Sequence, residues 1–178
     1  MSHQAHEEAS GRVQAPARCA VLTCSDTRTR ENDRGGDRVL ECLEAAGHRV
    51  VARRLTRESP DELDEALEQL LNEDIDLLVC TGGTGIARRD GTVERVRARL
   101  DLELDGFGEL FRHLSFAEIG AAAMLSRATG GVVRAEPIDT LLFALPGSVG
   151  AIELAMTEII LPQLSHMRML LGEKSRSR

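Results

Sequence analysis

Residues Thr81 to Asp90, TGGTGIARRD, gather glycines, threonines, arginines and an aspartate into one short stretch. The chemistry these types suit is the holding of phosphate. Gly82, Gly83 and Gly85 let backbone N–H groups approach an anion, and the hydroxyls of Thr81 and Thr84 can donate to it. Arg88 and Arg89 can clamp phosphate oxygens, and Asp90 can hold a divalent cation that offsets their charge. On spacing alone, a tight turn running into a solvated charged loop accounts for the same residues. The stretch lacks the Gly-Lys-Ser/Thr ending of a Walker A loop and the G-x-G-x-x-G spacing of a dinucleotide fingerprint.

Other candidates are separate in sequence. Ser25-Asp26 follows an apolar run; Asp26 suits a metal, the N–H groups of a heterocycle, or an Asx-type turn. Pro146-Gly147-Ser148 follows another apolar run and precedes a helical pattern, where backbone N–H groups are free. Glu58 ends a strand-like segment and is either a site carboxylate or an exposed acid beside a helix start. Ser126-Arg127 precedes a glycine-rich bend. His48, His113 and His166 sit in ordinary helix or strand contexts and read as structural, and the pair His3 and His6 reads as incidental.

These candidates need a frame that brings them together. Arg18–Cys24, 48–55, 75–81 and 140–146 are short apolar runs of the kind that form buried strands. Helical patterns lie between them. One begins near Asp37 and ends at Gly47, with Val39, Leu40, Leu43 and Ala46 on one face. A second begins at Ser59-Pro60, with Ser59 as cap and Glu62 completing a capping box, and carries Leu63, Ala66, Leu67, Leu70 and Leu71. A helix spans 93–100, and the segment from Asp105 reads as helix broken at Gly106, Gly108 and Gly120. The last helix puts Ile152, Ala155, Met156 and Ile159 on one face, and Pro162 should end or kink it. Alternating β and α elements predict a mostly parallel sheet covered by helices on both faces, a three-layer α/β/α sandwich. In such sheets ligands bind beyond the carboxyl ends of the strands, where the loops after the first, third and late strands would meet.

The totals agree with one domain. A chain of 178 residues buries roughly 70% of its unfolded surface without staples. Residues 1–17 read as a polar tail, 18–172 as the folded domain and 173–178 as a frayed end. With no Trp or Tyr and only four Phe, aliphatic residues must build the core. A net charge of -7 argues against nucleic acid and anionic lipid as partners. Cys19, Cys24, Cys42 and Cys80 form no C-x-x-C pair and read as buried thiols of a reducing compartment. No apolar run is long enough to span a membrane, and no secretory leader is evident, so a cytoplasmic protein is expected.

Taken together, these motifs resemble the MoaB/Mog family of molybdenum cofactor biosynthesis proteins. The matching features are SDT at Ser25 to Thr27, TGGTG at Thr81 to Gly85, RRD at Arg88 to Asp90, GFGELFR at Gly106 to Arg112, LSFAEIG at Leu114 to Gly120, SRA at Ser126 to Ala128 and LPGS at Leu145 to Ser148. They run in order over almost the whole chain, and LSFAEIG with PGS leans to the MoaB branch. The resemblance implies a molybdopterin adenylyltransferase that uses Mg2+ and ATP to adenylate the terminal phosphate of molybdopterin, releasing pyrophosphate. By that resemblance Asp90 and Glu58 are catalytic and carry Mg2+. Ser25, Asp26, Thr81–Gly85, Arg88, Arg89, Ser126, Arg127 and Pro146–Ser148 bind substrate. It further implies a homo-oligomer, trimer or hexamer, that meets other proteins of the pathway. A catalytically inactive molybdopterin-binding scaffold of the same fold is the alternative. Gly91-Thr92-Val93 departs from the Val-Thr-Pro of the Mog branch, which removes a preset helix start and implies a looser loop. Asp33, in a first loop longer than the family's, is an extra candidate.

Overall fold

The computed structural model describes residues 15–136 and 138–172; the polar tail to residue 14 and the end from 173 lie outside them. Six strands form one mixed sheet: β1 (Arg18–Cys24), β2 (Arg49–Thr56), β3 (Leu77–Thr81), β4 (Leu102–Glu103), β5 (Thr129–Val133) and β6 (Thr140–Leu145), in spatial order β2-β1-β3-β6-β5-β4. The β1–β2, β1–β3 and β3–β6 pairings are parallel, so four strands end at one edge. The β5–β6 and β4–β5 pairings are antiparallel.

Strand periodicity explains the layering. Cys19, Val21, Leu77, Val79, Leu141 and Phe143 face one side, and Ala20, Leu22, Leu78, Cys80, Leu142 and Ala144 face the other; all are buried. The first face is covered by α1 (Arg34–Ala45), α4 (Asp105–Ile119) and the C-terminal helical run. The second is covered by α2 (Pro60–Leu71) and α3 (Thr92–Arg97). In α2, Leu63, Ala66, Leu67 and Leu70 are the buried stripe read from the sequence. Burying each leucine contributes about 1.5–3 kcal/mol. All four cysteines are free and buried.

Helix ends depart from the sequence in instructive ways. α1 begins at Arg34, three residues before Asp37, because the Asp33 carboxylate caps it by accepting from the Gly36 amide at 2.9 Å. It ends as expected: Gly47 takes φ 80°, and its amide donates to the Glu44 carbonyl. α2 starts with Ser59 and Pro60 as expected, but the Ser59 side chain makes no cap hydrogen bond, so the capping box is not formed. Gly106 and Gly108 do not break α4; it runs on to Gly120, where φ 60° stops it and a 3-10 turn (Gly120–Leu125) follows. Gly108 instead allows close approach, since a Cβ there would stand 3.2 Å from the Ala128 carbonyl. Pro162 does not end the last helix. α5 (Val149–Leu154) passes through a π-helical stretch (Ala155–Ile160) into α6 (Leu161–Leu171). A wider turn accommodates a proline ring that would otherwise press on the carbonyl four residues earlier.

β4 and β5 have no counterpart in the expectations, where the glycine-rich stretch after Ser126-Arg127 figured as a bend. Its glycines are what the strand requires: a Cβ on Gly130 would fall inside the Phe143 ring, and one on Gly131 would strike the Leu102 carbonyl. Phe143 is 1% exposed and meets Phe107 edge-on at 4.8 Å, so it cannot retreat. Gly130→Ala should therefore cost about 1–3 kcal/mol of stability, the usual penalty for overpacking a core. Urea unfolding checks this, and an unchanged midpoint would mean that the Phe143 ring is free to move.

Candidate active site

Because β1, β2, β3 and β6 are parallel, their carboxyl ends deliver Cys24–Thr27, Thr56–Glu58, Thr81–Asp90 and Pro146–Ser148 to one edge. Hydrogen bonds between loops then fix the edge. The Ser25 amide donates to the Thr56 carbonyl at 2.9 Å and the Gly82 amide to the Leu145 carbonyl at 3.1 Å. The Thr81 hydroxyl donates to the Pro146 carbonyl at 3.3 Å. Ser25 Oγ accepts from the amides of Thr27 and Arg28, which curls the first loop. The Ser148 hydroxyl caps the helix that follows by accepting from the Ala151 amide.

The glycines carry this geometry. Gly82 (φ 87°) and Gly83 (φ 60°) occupy the left-handed region. A Cβ on Gly82 would strike the Cys24 carbonyl, and one on Gly83 would stand 2.5 Å from Thr92 Oγ1. One on Gly85 would stand 2.6 Å from the Asp90 carboxylate. The loop thus folds back on itself: the Thr92 amide donates to the Gly83 carbonyl at 3.0 Å, and Asp90 Oδ2 accepts from the Ala87 amide at 2.8 Å. Without the proline of the Mog branch, α3 still begins at Thr92.

The resulting cleft, roughly 480 Å3, is walled by the glycine loop, Ser25, Gly147, Ser148, Glu58 and Asp90. Thr27, of the SDT motif, also lines it, as do Arg28 and Gly35, which were not singled out in the sequence. No motif marks these two, since they reach the cleft only through the curl of the first loop and the start of α1. A second cleft of about 300 Å3 is lined by Arg88, Arg89 and Arg95, and it shares Glu58 and Asp90 with the first.

The carboxylates differ in state. Asp26 Oδ1 accepts from the Glu58 amide at 3.1 Å, which ties the first loop to the end of β2. Glu58 is half-buried. Its Oε2 lies 3.0 Å from Arg89 Nε but is not aligned for a hydrogen bond, and it has no other donor among the described residues. Burial, reinforced by the negative charges of Asp26 and Asp90, raises the Glu58 pKa above the ordinary carboxylate range against the opposing Arg89.

Asp33 also lines the cleft, but its oxygens are engaged within the protein. It is 2% exposed, accepts from Thr23 Oγ1 at 2.7 Å and pairs with Arg53 at 2.8 Å. Burial works against its charge, but Arg53, the Gly36 amide and Thr23 outweigh it and hold its pKa low. It is a cap and a brace.

Arg127 reaches the loop rather than the open cleft. Its Nη1 donates to the Gly85 carbonyl at 3.1 Å, and its other nitrogen pairs with Glu94. Ser126 ends the 3-10 turn and does not line the cleft. The His48 ring accepts from the Ala17 amide, a structural role. Among the described residues no helix is long and apolar enough to cross a membrane.

Fold and site define a class: a three-layer α/β protein whose ligand cleft lies at the carboxyl ends of parallel strands, floored by a glycine loop. Known proteins of this class match. Residues 20–166 fit the family model described as "Probable molybdopterin binding domain". The Molybdenum cofactor biosynthesis protein B of Halalkalibacterium halodurans is 47% identical over 168 residues, 92% of this chain and 96% of that one. The protein of the same name from Bacillus cereus is 46% identical over 158 residues, 86% and 91% of the two chains. A crystal structure of a Molybdenum cofactor biosynthesis protein B superposes with a TM-score of 0.84 at 42% identity, covering 90% of this chain and 100% of that one. The tungsten cofactor synthesizing protein MoaB from Pyrococcus furiosus gives 0.82 at 34% identity, covering 90% and 99%. The chain belongs to the MoaB/Mog family of molybdenum cofactor biosynthesis proteins.

The raised Glu58 pKa has a thermodynamic consequence. The folded state binds a proton more tightly than the unfolded one, so stability is highest below the ordinary carboxylate pKa and falls as pH rises through the folded value. Glu58→Gln should therefore raise the melting temperature at pH 7.5, with the gain vanishing near pH 4 (about the unperturbed Glu pKa). A variant that melts lower than the parent at pH 7.5 would show that the Arg89 pair outweighs the burial.

Proposed function

We propose that this chain acts in molybdenum or tungsten cofactor biosynthesis, as a molybdopterin adenylyltransferase of the MoaB type. The observation that carries the reading is the Thr81–Asp90 loop, whose glycines wall a cleft together with Glu58 and Asp90, a setting that suits phosphate. The names of the similar proteins support the cofactor pathway, and the family model supports a molybdopterin ligand.

In the proposed reaction an oxygen of the terminal phosphate of molybdopterin attacks the α-phosphorus of ATP. A new O–P bond forms, the bond from the α-phosphorus to the bridging oxygen breaks, and pyrophosphate leaves with the electron pair. Positioning and charge stabilisation supply the rate, as in other phosphoryl transfers. Backbone N–H groups of Gly83–Gly85 hold phosphate, and Ser25, Gly147 and Ser148 border the acceptor.

Mg2+ fits these residues. Among the described residues no group of three His, Cys, Asp or Glu side chains could cage a metal. Mg2+ asks for less: one or two carboxylates, phosphate oxygens and retained water. Glu58, with its undonated Oε2, and Asp90 would hold it. When bound, it would offset charge on the phosphates.

Phe116, Ile119, Met124 and Leu125 are each more than half exposed at the end of α4 and in the turn after it. An apolar patch of this kind supports the homo-oligomer, trimer or hexamer, that the family resemblance implies.

The test is direct. Purified protein given molybdopterin, ATP and Mg2+ should release pyrophosphate, and Asp90→Asn should slow it by about 100-fold, the usual loss for one charge-stabilising group. Binding of molybdopterin without pyrophosphate release would instead identify a scaffold of the same fold.

A further inference from the structure

The edge of the sheet carries two clefts, and Glu58 and Asp90 line both. Resting on the adenylyl-transfer reading, we propose that the arginine-lined cleft is the site of the pyrophosphate leaving group. The glycine-lined cleft then holds the attacking phosphate.

In-line displacement places nucleophile and leaving group on opposite sides of the reacting phosphorus. Two clefts that adjoin across a shared carboxylate wall supply that arrangement, with the α-phosphorus at the wall. Charge decides which side is which. The acceptor brings a phosphate monoester, which backbone N–H groups and Arg28 of the larger cleft suit. Pyrophosphate is the denser anion and calls for guanidinium groups.

The smaller cleft is lined by Arg88, Arg89 and Arg95 beside Glu58, Asp90 and Glu94, and its arginines are only loosely engaged. Arg88 is exposed and has no hydrogen bond or ion pair among the described residues. Arg95, which lines the cleft, shares the Asp64 carboxylate with Arg99, at 2.9 and 2.7 Å, so its charge is only partly offset. Arg89 is held through Glu58 alone, with 71% of its side chain exposed, so it can turn to a phosphate without unfolding anything. Glu94, the remaining acid of this cleft, is neutralised by Arg127. As the bond from the α-phosphorus to its bridging oxygen breaks, the electron pair goes out with pyrophosphate into this arginine-lined cleft. No oxidant, reductant or covalent intermediate takes part.

Binding of pyrophosphate itself, in the presence of Mg2+, tests the assignment without requiring turnover. Calorimetry on the full chain should show pyrophosphate binding that Arg88→Gln weakens about tenfold and Arg88→Gln/Arg89→Gln weakens further. Arg28→Gln should leave it within about twofold. In turnover the Arg88 variant should raise the KM for ATP and leave the KM for molybdopterin unchanged, while Arg28→Gln does the reverse. Loss of pyrophosphate binding in Arg28→Gln but not in Arg88→Gln would overturn the assignment, as would equal affinity in every variant or no binding by the parent. Should pyrophosphate bind as expected while the parent releases none from ATP and molybdopterin, the adenylyl-transfer reading fails and the anion site stands.

Discussion

Where β1, β3 and β6 end, main chain packs directly on main chain. The Gly82 Cα lies within van der Waals reach of any atom added to Gly147, and the Cys24 carbonyl fills the place where a Gly82 side chain would be. That contact sets the depth of the cleft. It aligns the Gly82 amide with the Leu145 carbonyl, brings the Thr81 hydroxyl to the Pro146 carbonyl and turns Gly83 back onto Thr92. Asp90 is placed last in this series, by a loop that has no freedom left to spend. A residue with any side chain at Gly82 would move the whole set.

Electrostatics adds a second layer. The chain is acidic overall, and the arginines near the cleft are each in a different state: Arg53 buried on Asp33, Arg127 locked on Gly85 and Glu94, Arg89 loosely on Glu58, and Arg88 without a partner among the described residues. The gradient from fixed to free runs outward from the sheet. Cations that shape the loop are held by several bonds, and cations available to a ligand are held by few. Glu58 sits at the boundary, buried enough to resist ionisation and close enough to Asp26 and Asp90 to gain from any added positive charge.

Much of this was legible in the sequence because it is local. The four apolar runs and the leucine stripe of α2 follow from periodicity, and the TGGTG loop falls at a strand end because glycines follow an apolar run there. What escaped is what depends on neighbours distant in sequence. Gly130 and Gly131 read as a bend, since nothing nearby reveals that Phe143 and Leu102 occupy their side-chain space. Gly106 and Gly108 read as helix breaks, though tertiary packing of Phe107 and Phe111 carries the helix through them. Asp33 resembled a site acid until Arg53 and Thr23, from two other strands, claimed its oxygens. Arg127 was assigned to substrate from a motif, whereas its geometry directs it to the loop carbonyl.

The buried thiols allow one more conclusion. Cys24 lies beneath the glycine loop with no exposed surface, and burial pushes its pKa up to about 12. Cys19 is raised to about 12 by burial as well, and burial also raises Cys80 well above the ordinary thiol value. At neutral pH almost none of these three is thiolate, so they are chemically silent to alkylating reagents in the native fold, whereas Cys42 keeps some exposed surface. Labelling of Cys19, Cys24 or Cys80 therefore times an opening event. Cys19 and Cys80, deep in the sheet, clock global unfolding, whereas Cys24 clocks the lifting of the cleft floor. The protein carries its own stopwatch for the breathing of its site, readable without altering a single residue.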